Sequence, residues 1–191
     1  MKAPSIFTPY LPHERVNYLT HLAGGFLWIP LTAWLVIASA GRIELLISSL
    51  IYGISVMFLF FSSANYHFHK REENEQSFRR KLDHIAIFVM IAGSYTPVVY
   101  VWYEDPWRWV VIGLQWGLTL IGVFYKLLIA RPPRWIAPVI YVAMGWIAIG
   151  AIVPLYQIMP AVIFWSMIGG GVLYTIGALI YGVKRPRRRG F

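Results

Sequence analysis

Residues Phe58-Leu59-Phe60-Phe61-Ser62-Ser63-Ala64-Asn65-Tyr66-His67-Phe68-His69 close one apolar run, and Leu82-Asp83-His84-Ile85-Ala86-Ile87-Phe88 opens another that continues through Val98. A charged connector from about Lys70 to Lys81 joins them. Three histidines and an aspartate therefore gather at the facing ends of two hydrophobic segments. If both segments are transmembrane helices, so short a connector makes them antiparallel neighbours and returns His67 and Asp83 to one membrane depth. Chemistry is expected there.

Working outward, the rest of the chain repeats this pattern. Of 191 residues, 58% are hydrophobic and 13% charged, and the mean hydropathy is +0.59, which no ordinary soluble domain shows. Six apolar runs are visible: Tyr18 to Ala40, Ile43 to Tyr66, Leu82 to Tyr103, Trp109 to Ala130, Trp135 to Tyr156 and Pro160 to Val183. Each holds 22 to 24 residues, enough to cross about 30 Å of hydrocarbon as a helix. The period-two alternation of a barrel strand is absent. The fold expected is all-α, a polytopic transmembrane helical bundle with six spans in one membrane domain covering residues 1–191. Met1 to Asn17 contains neither a short apolar core nor an Ala-x-Ala site, so the first span reads as retained. The chain has no cysteine, which excludes a disulfide framework and thiol catalysis.

Charge supplies the orientation. With six alternating helices, 15 of the 17 basic residues fall on one side, leaving Arg42 and Arg108 opposite. The positive-inside rule then places both ends of the chain in the cytoplasm. The Lys184 to Arg189 cluster abuts a span, so topological anchoring and contact with anionic lipid fit it better than nucleic acid does. Trp102, Tyr103, Trp107 and Trp109 read as an interfacial aromatic belt.

The polar residues inside this frame are few. Glu14, Asn17 and His21, at i, i+3 and i+7, form one stripe on a helix. On spacing alone, an interfacial helix start with a snorkelling histidine accounts for it. Ser63 and His67 are i and i+4 and share a face, whereas His69 points away. Asp83 reads either as part of a buried polar site with them or as a helix N-terminal carboxylate. Gly24-Gly25 allows close helix approach, Pro30 suggests a kink, and Gln115 with Thr119 suggests a helix-packing hydrogen bond. Pro138, Tyr141, Gly145 and Trp146, with Gly169-Gly170-Gly171, Tyr174 and Gly177, read as packing surfaces.

These residues resemble the hemolysin III family, the bacterial branch of the progestin and adipoQ receptor superfamily. Its first motif, Glu-x-x-Asn-x-x-x-His, matches Glu14, Asn17 and His21; the second, Ser-x-x-x-His with a later Asp, matches Ser63, His67 and Asp83. Ala92-Gly93-Ser94-Tyr95-Thr96-Pro97, Tyr141 to Trp146 and Gly170 to Gly177 resemble family text as well. The resemblance makes the Glu14 stripe part of the site. It implies a bacterial inner membrane location and seven spans, with a zinc ion held by the span-two histidine and by two histidines of a His-x-x-x-His motif in span seven.

By that likeness His67 is a metal ligand, Asp83 belongs to the metal site and orients the water, and Ser63 assists the substrate or oxyanion. His69 and His84 are weaker candidates. No His-x-x-x-His occurs in this sequence, and Phe191 falls about where the seventh span is expected to begin. Zinc binding by this chain is therefore expected to be weak or absent, because a hydrolytic zinc takes three protein ligands and an open position. Three functions compete: a zinc-dependent hydrolase of lipid amides or esters, with membrane lipid as partner and substrate; a pore-forming cytolysin or channel; and a receptor-like regulator in which the polar site is structural.

Overall fold

The computed structural model describes residues 9–72, 75–129, 133, 135–147 and 152–183. Those residues are helical apart from turns and connectors. A single 3-10 turn, Pro12–Glu14, leads into α1 (Arg15–Ala38), followed by α2 (Ile43–His69), α3 (Phe78–Trp102), α4 (Trp107–Leu128), α5 (Ile136–Gly145), α6 (Ile152–Ile158) and α7 (Ala161–Val183). Among the described residues, five helices are long and apolar enough to cross a membrane: α1 with its 3-10 turn, α2, α3, α4, and α7 over Ala161–Ile180.

The fifth apolar run departs from the expected single helix. It holds the ten-residue α5 and most of the seven-residue α6, which runs on to Ile158, with 148–151 between them outside the described residues. At Gly145 the helix gives way to Trp146, whose φ of −101° and ψ of 7° leave the helical region. The second connector is also shorter than its charges suggested. Ser77 takes an extended conformation, its Oγ accepts the Arg80 N–H at 3.3 Å, and α3 starts at Phe78. Arg79, Arg80 and Lys81 are thus helical, and the connector is Lys70 to Ser77.

The chain divides into two compact units, Met1–Ala130 and Arg131–Phe191. In the first, α1 packs on α2, α2 on α3 and α3 on α4. The sequence makes these contacts close. Ser48, Ser55 and Ser62 repeat every seven residues on α2 and are all buried, giving α3 a row of small side chains to approach. Opposite them, a Cβ at Gly93 would overlap the Ser55 side chain. On the other side of α2, Cβ atoms at Gly24 and Gly25 would come within 2.6 and 2.7 Å of the Phe60 and Phe61 rings.

Ser55 and Thr96 donate to backbone carbonyls one turn back, of Ile51 at 2.7 Å and Ala92 at 2.9 Å, so they cost little to bury. Thr119 Oγ1 lies 2.9 Å from the Gln115 carbonyl and 3.2 Å from that of Phe88 across on α3, the packing role its spacing suggested. Phe88, Val56 and Val99 fill the core, while Phe26, Trp34 and Ile37 on α1 and Trp109, Ile121 and Phe124 on α4 face outward. Apolar residues on the outside as well as the inside are what lipid solvation requires. α1 continues through Pro30 and α3 through Pro97 without leaving the helix.

In the second unit, α5 and α6 each pack on α7. Trp146 Nε1 donates to Thr175 Oγ1 at 2.9 Å, and Thr175 returns to the Gly171 carbonyl at 2.8 Å. Gly171 lies against the Trp146 ring, as a packing surface should, but Gly169, Gly170 and Gly177 have open space around the Cβ position.

Candidate functional site

Three helix ends converge in the first unit: the start of α1, the end of α2 and the start of α3. Pro12 opens the 3-10 turn and leaves Glu14, the last residue of that turn, with only 4% of its surface exposed. A carboxylate buried this far must be paired. Its Oε2 accepts from Asn17 Nδ2 at 2.9 Å and from His67 Nδ1 at 2.7 Å. Its Oε1 pairs with the buried ammonium of Lys70, and His13 Nε2 lies 3.6 Å away. Lys70 is the partner that sequence reasoning missed. Its only signal was adjacency to His67 and His69 at the end of α2, easily read as a solvated connector charge.

The Glu14 stripe continues up α1. His21 Nδ1 is 2.6 Å from the Asn17 carbonyl, and the His21 and His67 rings lie 5.6 Å apart, tilted by 36°. A carbonyl or carboxylate oxygen can only accept, so Nδ1 carries the proton in both rings. In its neutral form each imidazole then presents Nε2 as a lone pair. Orientation of a histidine by a carboxylate or carbonyl at its other nitrogen is the arrangement that metal-binding and proton-transferring histidines share.

One turn back along α2, buried Ser63 is a hydrogen-bonding neighbour of the Asp83 carboxylate on α3, and His67 and His21 lie near enough to act on the same carboxylate. Ser63, His67 and Asp83 are therefore brought together with Glu14, Asn17 and His21. The two weaker candidates are not. His69 Nδ1 bonds the Asn65 carbonyl of its own helix at 3.0 Å, and its ring lies edge-on to Phe68. His84 turns to α4, where its Nδ1 accepts from Lys126 Nζ at 3.2 Å.

Zinc makes a stricter demand. Among the described residues, no three side chains of His, Asp, Glu or Cys are placed to hold one metal ion. The site offers two imidazole nitrogens, and the nearby carboxylate is engaged by Ser63. A hydrolytic zinc needs three protein ligands, so the residues present do not fit that ion on their own.

Comparison with known proteins shows the family of the chain. The profile of the family described as "Haemolysin-III related" matches residues 10–190. Hemolysin-3 of Bacillus cereus is 31% identical over 176 residues, covering 91% of this chain and 80% of that protein. The Hemolysin-3 homolog of Bacillus subtilis (strain 168) is 31% identical over 179 residues, covering 92% and 83%. The ADIPOR-like receptor IZH2 of Saccharomyces cerevisiae is 25% identical over 199 residues, and the match takes in 94% of this chain but 62% of that one. No solved structure matches. The chain belongs to the hemolysin III family, within the progestin and adipoQ receptor superfamily.

Proposed function

We propose that this chain is a six-span protein of a bacterial inner membrane, with both ends cytoplasmic, whose polar site serves hydrolysis of an amide or ester bond in a membrane lipid. The observation that carries the reading is the meeting of Ser63, His67 and Asp83 with the Glu14 stripe at one end of three apolar helices. A lipid carbonyl at the membrane boundary can reach such a site from the side. Asp83 is the group to accept a proton from an attacking water, and Ser63 fixes the direction of its carboxylate. Glu14 and Lys70 hold His67 in one tautomer and orientation. Zinc is the cofactor that the family resemblance implies, and its site needs a donor that this sequence does not contain.

A regulatory reading is favoured by one observation: the Glu14 carboxylate is fully engaged and ties the start of α1 to the end of α2, as a structural clamp would. The pore reading has less support. The hydroxyls of Ser55, Thr96 and Thr119 inside the bundle are used in packing bonds and not in a continuous polar face.

The deciding experiment follows fatty-acid release from lipid amides and esters by the full chain in vesicles, with Asp83→Ala beside it. Turnover abolished by Asp83→Ala at an unchanged melting temperature supports the hydrolase. No turnover in either protein, with a lower melting temperature for the variant, supports the clamp. Conductance in planar bilayers that survives His67→Ala supports the pore.

A further inference from the structure

A second polar cluster lies where α3 begins and α4 ends, next to the Ser63 site, since the Arg80 charge also acts on Asp83. Its centre is Lys126, in the last turn of α4 and only 6% exposed. Its ammonium donates to His84 Nδ1 at 3.2 Å and lies 5.9 Å from the centre of the Tyr125 ring. Among the described residues, the charge that acts on Lys126 is that of Arg80, another cation. Lys81 completes the group. Its ammonium bonds the Leu127 carbonyl at 3.1 Å, which ties the first turn of α3 to the last turn of α4. Arg80 donates through one terminal nitrogen to the Glu75 carbonyl at 3.0 Å.

A buried ammonium with no carboxylate beside it costs several kcal/mol, and Arg80 raises that cost further. The contrast with Lys70 is instructive, because that equally buried lysine is paired with Glu14. In the connector, both oxygens of Glu75 are already engaged, one by the Arg71 N–H and the other by the Ser77 hydroxyl. Among the described residues, Lys126 has no carboxylate partner of its own; the Arg80 charge that acts on it acts on Asp83 as well, and Lys81 reaches the adjoining Leu127 carbonyl, at the end of the bundle where the basic residues collect. Phosphate oxygens match that demand, since one group can accept from an ammonium and a guanidinium together.

We infer that Arg80, Lys81 and Lys126 form a binding site for a phosphate group, with Lys126 as its floor and Arg80 and Lys81 as its rim. The same chemistry is carried by the phosphodiester of an anionic lipid headgroup and by free phosphate, and position at a helix end favours the lipid.

Thermal unfolding of the full chain in neutral detergent tests the inference. It is titrated separately with a short-chain phosphatidylglycerol, a short-chain phosphatidylcholine and inorganic phosphate. Saturable stabilisation by phosphatidylglycerol is expected, with half-saturation weakened about tenfold or more in Lys126→Met and in Lys81→Gln. Arg108→Gln, which removes the same charge near the other end of α3 and α4, should leave it unchanged. An equal response to inorganic phosphate, lost in the same two variants, assigns the site to the phosphate group alone. Stabilisation by phosphatidylglycerol alone assigns it to the headgroup. Two results overturn the inference: no saturable response to either anion, or a response undiminished in Lys126→Met. That variant removes a buried charge and keeps the side-chain length, so it is expected to fold.

Discussion

Replacing Glu14 by leucine removes one carboxylate and strands several partners at once. Lys70, with 9% of its side chain exposed, loses its counter-charge, and His67 Nδ1 and Asn17 Nδ2 lose their acceptor. Removing one member of a buried ion pair typically costs about 3 to 5 kcal/mol, mostly through the uncompensated charge left behind, whereas replacing both members by apolar side chains is often neutral. Glu14→Leu is therefore expected to destabilise the chain by about 3 to 5 kcal/mol, and Glu14→Leu with Lys70→Met to recover most of that loss. The remainder in the double variant reports the hydrogen bonds to His67 and Asn17, at about 1 kcal/mol each. Reversible unfolding in mixed micelles, titrated with SDS and followed by tryptophan fluorescence, measures all four members of the cycle. A single-variant cost below about 1 kcal/mol, or a double variant no better than Glu14→Leu, would refute a buried and coupled pair.

Three further outcomes follow from the same contacts. Gly93→Val places a side chain against Ser55 and should cost about 1 to 3 kcal/mol, with partial recovery in the background of Ser55→Gly; an unfolding midpoint equal to wild type would contradict the close α2 to α3 approach. Glu75 lies in the connector outside the spans. Burial opposes its charge with the largest single effect, but the Arg71 N–H, the Ser77 hydroxyl and the nearby Lys70 charge together hold its carboxyl below the ordinary value of 4.5. A lowered folded value means a stabilising contribution that is full above the unfolded pKa and lost as pH falls through the folded one. The stability gap between wild type and Glu75→Gln should accordingly close on acidification below 4.5, and a gap that widens there would refute the assignment. Mass-spectrometric metal analysis of the purified chain should give zinc well below one ion per molecule, since two imidazoles are offered where three protein ligands are needed; one tightly held ion, lost in His67→Ala, would show that the site is more complete than its donors suggest.

The long apolar helices were legible because hydropathy over some twenty residues reports the solvent around a helix, and lipid leaves a strong imprint. The same signal could not see the break between α5 and α6. Residues 135–156 are uniformly apolar, and a window that counts hydrophobic side chains registers neither the end of a helix at Gly145 nor the turn at Trp146. It also placed the start of α3 four residues late, because Arg79, Arg80 and Lys81 look like loop although Ser77 has already capped the helix.

Within the site, the pairs readable from spacing were those on one helix. Ser63 with His67, and Asn17 with His21, follow from the four-residue return of a helix face. Apart from Asp83, which the short connector returned to the depth of His67, the partners across helices followed no spacing rule. Glu14 meets Lys70 across 56 residues, and His84 meets Lys126 across 42. Such meetings are decided by how helices pack, and a lysine next to a loop carries no mark that distinguishes a buried counter-ion from a solvated charge.

The ties from Glu14 to Lys70 and from Lys81 to the Leu127 carbonyl bear on membrane insertion as well as on stability. Each joins residues that flank a pair of crossings, so each holds the two outer ends of a helical hairpin on one side of the bilayer. A single helix that entered the membrane in the wrong sense would part the buried Glu14 from Lys70, or Lys81 from the Leu127 carbonyl. The first four helices are in this sense proofread pair by pair: a hairpin that inverts as a unit keeps its lock, but one helix of a pair cannot cross in the wrong sense, or fail to cross, while that lock stays closed.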